Sequence, residues 1–255
     1  GGRYDDFDIT VDDIKNGTSE SRKDTTFSPR AGLIYKPQEN VSLYLSYSES
    51  FLPRSGEQFK SLSASSARLD PDVFESTEIG MKVALSDSMS LTAAFFDSEQ
   101  VRAARDNDTG ETSEIRGLTV DGFEIELKGR VNNNLNLAIA YSDLSGETSS
   151  GGIPREIPEH TLSGFATWEV NEKLSVALGV TQQGESKIKD NTPNLFLPEY
   201  TRIDLSAFYA VAPNLSVQVN VENLMDELYF PHSHSTHQAS VGESVNSRVS
   251  LRWTY

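Results

Sequence analysis

The chain has no cysteine, which excludes a disulfide framework and any thiolate-held metal. It also has no long apolar run. Nothing approaches the roughly 18 residues of a membrane-spanning helix, and the mean hydropathy of −0.44 is not that of a helical membrane protein. Positive charge is scarce: 22 Lys and Arg stand against 38 Asp and Glu, a formal net charge of −16. That balance argues against a nucleic-acid partner, since phosphates are met by clustered cations. At 255 residues the chain is one domain of ordinary size or a large piece of a bigger one. It begins Gly1-Gly2-Arg3, without the Met or signal pattern of a primary product, and a mature product or fragment is expected.

What is present is alternation. In the last eleven residues Val245, Val249, Leu251, Trp253 and Tyr255 alternate with Asn246, Arg248, Ser250, Arg252 and Thr254, a β-strand with one apolar and one polar face. No following segment covers the apolar face, and lipid is the alternative cover. A transmembrane barrel strand needs about 9–11 such residues, with aromatic side chains near the interfaces. Similar segments recur upstream. Short turns at 37–40, 86–88, 131–134, 171–173 and 212–214 separate long polar connections near 16–24, 52–70, 104–115, 145–158, 185–198 and 227–244. Five short and six long connections in strict alternation predict twelve antiparallel strands, with short periplasmic turns and long extracellular loops.

The polar face carries charge: Arg30, Glu78, Lys82, Glu124, Glu126, Arg202, Asp204, Glu222, Arg248 and Arg252 are all predicted to point inward. That suits a wet or plugged lumen. A soluble sandwich would have an apolar inner face. Tyr35, Trp168, Tyr209, Trp253 and Tyr255 are expected to form an outward girdle near the short turns.

Asn223-Leu-Met-Asp-Glu-Leu-Tyr-Phe230, followed by an aromatic-ended last strand, resembles the C-terminal signature of TonB-dependent outer-membrane receptors. Ser28–Tyr35, Leu43–Phe51, Phe74–Gly80, Gly117–Glu126, Ile157–Thr161 and Leu197–Asp204 are similar, in order and spacing, to the ferric-siderophore branch. Phe51–Phe59 and the Tyr229-Phe-Pro region look most like catecholate receptors. The resemblance implies an all-β transmembrane barrel of 22 strands, of which residues 1–255 are the C-terminal portion, with an N-terminal plug and about ten strands upstream. It implies no enzymatic activity and no cofactor, a ferric siderophore as ligand, and the outer membrane as location. It also implies TonB-ExbB-ExbD coupling through the upstream part, and the barrel-assembly machinery as a partner recognising Tyr255. Left open in a membrane, the sheet edges would cost on the order of tens of kcal/mol, so either missing strands complete the barrel or it closes alone. The second case gives the alternative function, a passive diffusion channel.

Arg and aromatic side chains in extracellular loops suit anionic, aromatic iron chelates. The candidates are Phe51, Arg54, Gln58, Phe59, Arg102, Arg105 and Phe196, with His232, His234 and His237 expected to lie in a loop without fixed geometry and to contact the chelate. No resident metal site is expected, because Asp106–Gly110 departs from a calcium loop in its glycine position and lacks the final Glu. Asn16-Gly-Thr18 and Asn214-Leu-Ser216 match a glycosylation pattern by chance. His160, Ser163 and Asp143 offer a hydrolase reading, but no nucleophile motif surrounds Ser163.

Overall fold

Where apolar and polar residues alternate, the backbone pairs into strands. A computed structural model describes residues 1–53, 71–105, 112–189 and 195–255. Its elements are β1 (Gly2–Asp13), β2 (Thr18–Gln38), β3 (Val41–Leu52), β4 (Asp72–Ser86), β5 (Met89–Arg105), β6 (Thr112–Asn132), β7 (Leu135–Thr148), β8 (His160–Glu169) and β9 (Leu174–Gln183). They continue with β10 (Ser186–Lys187), β11 (Phe196–Leu197), β12 (Tyr200–Ala212), β13 (Leu215–Glu222), β14 (His232–Ser235), β15 (Gln238–Ser240) and β16 (Asn246–Trp253). One antiparallel sheet of twelve strands runs β1 to β9, then β12, β13 and β16, while β10–β11 and β14–β15 form two small sheets of their own. The expected twelve-stranded, all-β architecture is present, and no described residue is helical.

The short turns lie where the turn residues place them. The Asn132 carboxamide oxygen accepts from the backbone N–H of Asn134 and Leu135 at 2.9 and 3.0 Å, and Asn171 does the same for Lys173 and Leu174 at 2.9 and 3.0 Å. Such side chains close a two-residue reversal that the backbone alone leaves open. Each turn is also tied to the next hairpin: Asn40 Nδ2 donates to Ala84 O at 3.2 Å, Ser88 Oγ to Arg130 O at 3.3 Å, and Asn134 Nδ2 to Glu169 O at 2.9 Å.

The opposite ends differ from expectation. Instead of a loop over 16–24, β1 and β2 stay paired up to Asp13↔Thr18. The tip is held by the Asp13 carboxylate, which accepts from the N–H groups of Lys15 and Asn16 and from Asn16 Nδ2. The Asn16 side-chain hydrogen bond, then its backbone bond, holds the Asp13 carboxyl below its ordinary pKa. β5 and β6 likewise occupy much of 104–115, and β7 runs to Thr148. Polar side chains on both faces mark strands that have risen into water; the ladder hydrogen bonds continue regardless.

The register sorts the faces. Leu45, Ile79, Phe95 and Phe123 lie side by side on one face, with the last two rings 4.8 Å apart. One row further from the short turns stand Tyr47, Thr77, Asp97 and Asp121, and one row beyond that Glu49, Glu75 and Glu99. The apolar band of this face therefore ends between Phe123 and Asp121. At its other end Tyr35, Trp168, Tyr209 and Trp253 are all exposed, as lipid-facing girdle residues should be. All ten charged residues predicted to point inward share the other face, opposite partners such as Ser48 for Arg30, Ser46 for Glu78, Ser42 for Lys82, Ser142 for Glu124 and Ala140 for Glu126. Thr181 faces Arg202, Gly179 faces Asp204, and Asn246, Asn220 and Ser216 face Glu222, Arg248 and Arg252. Phe165 and Phe208, neither anticipated, also lie on this charged face and are exposed.

The sheet is open, with β1 and β16 at its edges. β1 pairs with β2 from Thr18 to Pro29 and β3 pairs with β2 from Arg30 to Gln38, so β2 changes neighbours at Pro29, a residue with no N–H to offer.

The adjacent residues Arg248 and Val249 test the faces. Val249→Arg puts charge among lipid chains, at a cost of up to about 2–4 kcal/mol near the midplane, and is expected to reduce the heat-modifiable folded band recovered from outer membranes. Arg248→Leu is expected to leave that band unchanged. The reverse outcome would exchange the two faces.

Candidate functional site

The charged face has two organised regions. In the first, Tyr44 of β3 lies opposite Gly80 of β4, and only a residue without Cβ leaves room for its ring there. The Tyr44 hydroxyl donates to a Glu78 carboxylate oxygen, and Lys82 Nζ stands over the Tyr44 ring at 5.5 Å. Ala94, Ala140, Ser142 and Ser163 beside Glu78, Glu124 and Glu126 are too small to fill the space, and a hollow of about 330 Å³ remains between them. A wall recess lined by carboxylates can receive cationic or hydrogen-bond-donating groups. Lys128 Nζ meets Glu126 at 2.7 Å, which leaves Glu78 and Glu124 as the carboxylates of that recess without a described cationic partner within salt-bridge reach.

In the second region, Arg202 of β12 donates to Asp204 at 2.8 Å and to the Tyr229 hydroxyl at 3.2 Å. Tyr229 comes from the segment after β13, which folds back onto the wall. Its ring packs on Tyr200 at 4.7 Å between centroids, both rings being buried, and Gly242 lies against it where a Cβ would overlap the ring. Asn223 anchors the fold-back. It takes the left-handed conformation with φ 51°, which Asn tolerates better than most residues. It donates from Nδ2 to Glu227 O and Glu243 O, both at 2.9 Å, and accepts from Glu227 N at 2.9 Å. Asp204 Oδ1 accepts the Asn223 N–H at 2.8 Å.

The extracellular candidates are scattered. Phe51 meets Phe7 edge-on at 5.4 Å. Phe196 carries Lys187 Nζ over its ring at 5.3 Å, in a loop joined to its neighbour by bridges Arg155↔Lys187 and Pro158↔Ser186. Arg54, Gln58, Phe59 and Asp106–Gly110 lie outside the described residues, as do the side chains of Arg102, Arg105 and His234. The histidine segment is not without geometry, contrary to expectation: His232 and His234 are on β14 and His237 is in the turn to β15, with His232 Nε2 and Ser240 Oγ 2.8 Å apart. Hairpin pairing, invisible in a run of Ser and His, supplies the order. No group of three potential ligand side chains able to hold a metal occurs among the described residues.

The hydrolase constellation is not assembled. His160 pairs across from Asp143, and its Nε2 is 3.7 Å from a Glu199 oxygen. Ser163, an odd number of residues along the same strand, faces the opposite side. Tyr44, Lys187, Tyr200 and Tyr229 are not among the candidates that charge and alternation single out. Gly80 and Gly242, each marking a ring laid against bare backbone, were the available signal.

The family described as TonB dependent receptor-like, beta-barrel matches residues 1–224. The probable siderophore receptor PiuA of Acinetobacter baumannii is 27% identical over 251 residues, covering 89% of this chain and 33% of that one. Its crystal structure covers 100% of this chain and 40% of its own with a TM-score of 0.87 at 24% identity. The metal-pseudopaline receptor CntO of Pseudomonas aeruginosa is 27% identical over 274 residues, covering 100% of this chain and 38% of the receptor. The catecholate siderophore receptor Fiu of Escherichia coli K12 is 29% identical over 240 residues, covering 86% and 30%. The chain thus spans about a third of the length of these relatives.

Seating of Tyr229 is open to test. Gly242→Val is expected to displace the ring and cost about 1–3 kcal/mol, seen as a lower unfolding midpoint in detergent. An unchanged midpoint would mean that the ring is not held there.

Proposed function

Since this chain belongs to the TonB-dependent receptor-like β-barrel family, an outer-membrane family of transporters and not of enzymes, we propose that it forms the C-terminal wall of a receptor importing iron–siderophore complexes with TonB-supplied energy. The observation that carries this is the division of one sheet into an apolar band and a charged face with a recessed acidic patch. A wall charged toward its lumen suits a plug held by polar contacts, with Glu78 and Glu124 placed to receive cationic side chains from it. The open sheet supports completion by further strands over closure as a small passive channel.

We infer a catecholate complex as the ligand from the likeness of Phe51–Phe59 and the Tyr229 region to that subgroup. Fiu is a catecholate receptor by name, while CntO, similar over more of the chain, is named for pseudopaline. Lys187 with Phe196, and the His232 hairpin, offer cation and ring to an anionic aromatic chelate.

Uptake of radiolabelled iron by cells carrying the full-length gene tests the reading. A synthetic ferric tris-catecholate is expected to be taken up saturably, in preference to a ferric trihydroxamate, and only with TonB present. Non-saturable, TonB-independent entry would favour the channel; preference for the hydroxamate would overturn the subclass. Changing His232, His234 and His237 together to Ala is expected to weaken uptake about two- to fivefold, as loss of an exposed polar contact would. Unchanged uptake would remove the hairpin from the site.

A further inference from the structure

The apolar band ends in a step. Leu45, Ile79, Phe95 and Phe123 stand in one row from β3 to β6, and Leu45, Ile79 and Phe95 are exposed. In the next row away from the short turns the side chains are shorter: Thr77 faces Asp97, Asp97 faces Asp121, and Asp121 faces Ser145 of β7. Bulky groups below short ones leave a ledge, and a hollow of about 560 Å³ lies along it between the two rings and the two aspartates. It opens on the side of the sheet opposite the Glu78–Glu124 recess.

The charge beside this hollow is of one sign. Asp97 and Asp121 are direct cross-strand partners, and in the row above them Glu49 faces Glu75 and Glu75 faces Glu99. Like charges placed opposite each other across a ladder are destabilising. Lys82, Lys128 and Arg130, the described cationic side chains of β3 to β7, all lie on the other face. Asp97 and Asp121 are exposed, and neither makes a hydrogen bond or ion pair among the described residues. On the β1–β2 arc the same face does balance its charge, with Lys23 and Asp6 3.2 Å apart.

We propose that the ledge seats a membrane lipid with a primary ammonium headgroup, the ammonium held by Asp97 and Asp121 and the acyl chains lying across Phe95, Phe123, Leu45 and Ile79. The occupant follows from charge complementarity and from continuity. The apolar side of the hollow runs without a break into the lipid-facing band, and its polar side offers only acceptors. An anionic headgroup would add to the repulsion already there. A divalent ion is poorly served, since no group of three ligand side chains able to hold a metal occurs among the described residues. An ammonium needs only the two carboxylates, to which its N–H groups donate, and the ring faces beside them attract it further.

The test uses the full-length receptor, purified in detergent and offered equimolar phosphatidylethanolamine and phosphatidylglycerol of identical chains, with bound lipid counted by native mass spectrometry. The ethanolamine lipid is expected to be retained at least about fivefold over the glycerol lipid. In the double variant Asp97→Asn, Asp121→Asn that preference is expected to vanish, whereas Asp87→Asn, at a short turn, is expected to keep it. Thr77→Lys, which places a cation of the protein's own directly across from Asp97, is expected to abolish the preference without removing a carboxylate, so the question remains answerable if the double variant does not assemble. Equal retention of the two lipids by the native receptor would overturn the proposal, as would a preference that survives in either ledge variant or is lost in Asp87→Asn. Retention of the glycerol lipid that appears only with added Mg²⁺ would also overturn it, because the carboxylates would then act through a divalent ion.

Discussion

Hydrocarbon accepts no unpaired peptide group, and this one constraint governs the chain at every scale. It explains why the membrane-depth elements are strands whose neighbours in sequence are neighbours in space. Where β13 ends early, Asn223 and Asp226 pair with backbone groups of the segment that follows.

Within that constraint the two faces are free to differ. The lipid side needs only apolar bulk, so its composition is simple and its limit abrupt, from Phe123 to Asp121 in one step along β6. The other side combines charge, small residues and a few aromatic rings. Tyr44 against Gly80 and Tyr229 against Gly242 place large rings against bare backbone, and beside Tyr44 a recess rimmed by carboxylates remains. Such a surface is poor as a dry core and well suited to a polar domain seated against it.

The sequence made the strand number, the short turns and the charged face readable, because each rests on a local pattern: period-two alternation, Asn and Pro at reversals, charge in phase from strand to strand. The upper ends were not readable. Thr18–Asp24 and Gly146–Thr148 look like loop, since water permits polar residues on both faces and the alternation fades although the ladder persists. His232–Ser235 reads as loop for the same reason, although it pairs with Gln238–Ser240. Phe165 and Phe208 depart from the expectation that aromatic residues face lipid, because pleat parity puts them on the charged face. The site was less legible than the fold: Asn223 and Tyr229 were visible as part of a signature, but that they form one buried assembly with Arg202 and Asp204 depends on a fold-back that no periodicity encodes.

The unequal ladders have a geometric consequence. With about 3.3 Å per rung, the β5–β6 pair is roughly 55 Å long and the β13–β16 pair roughly 25 Å. Over the strands this chain supplies, the upper rim is therefore uneven, tall along the β5–β6 arc and low along the β13–β16 arc.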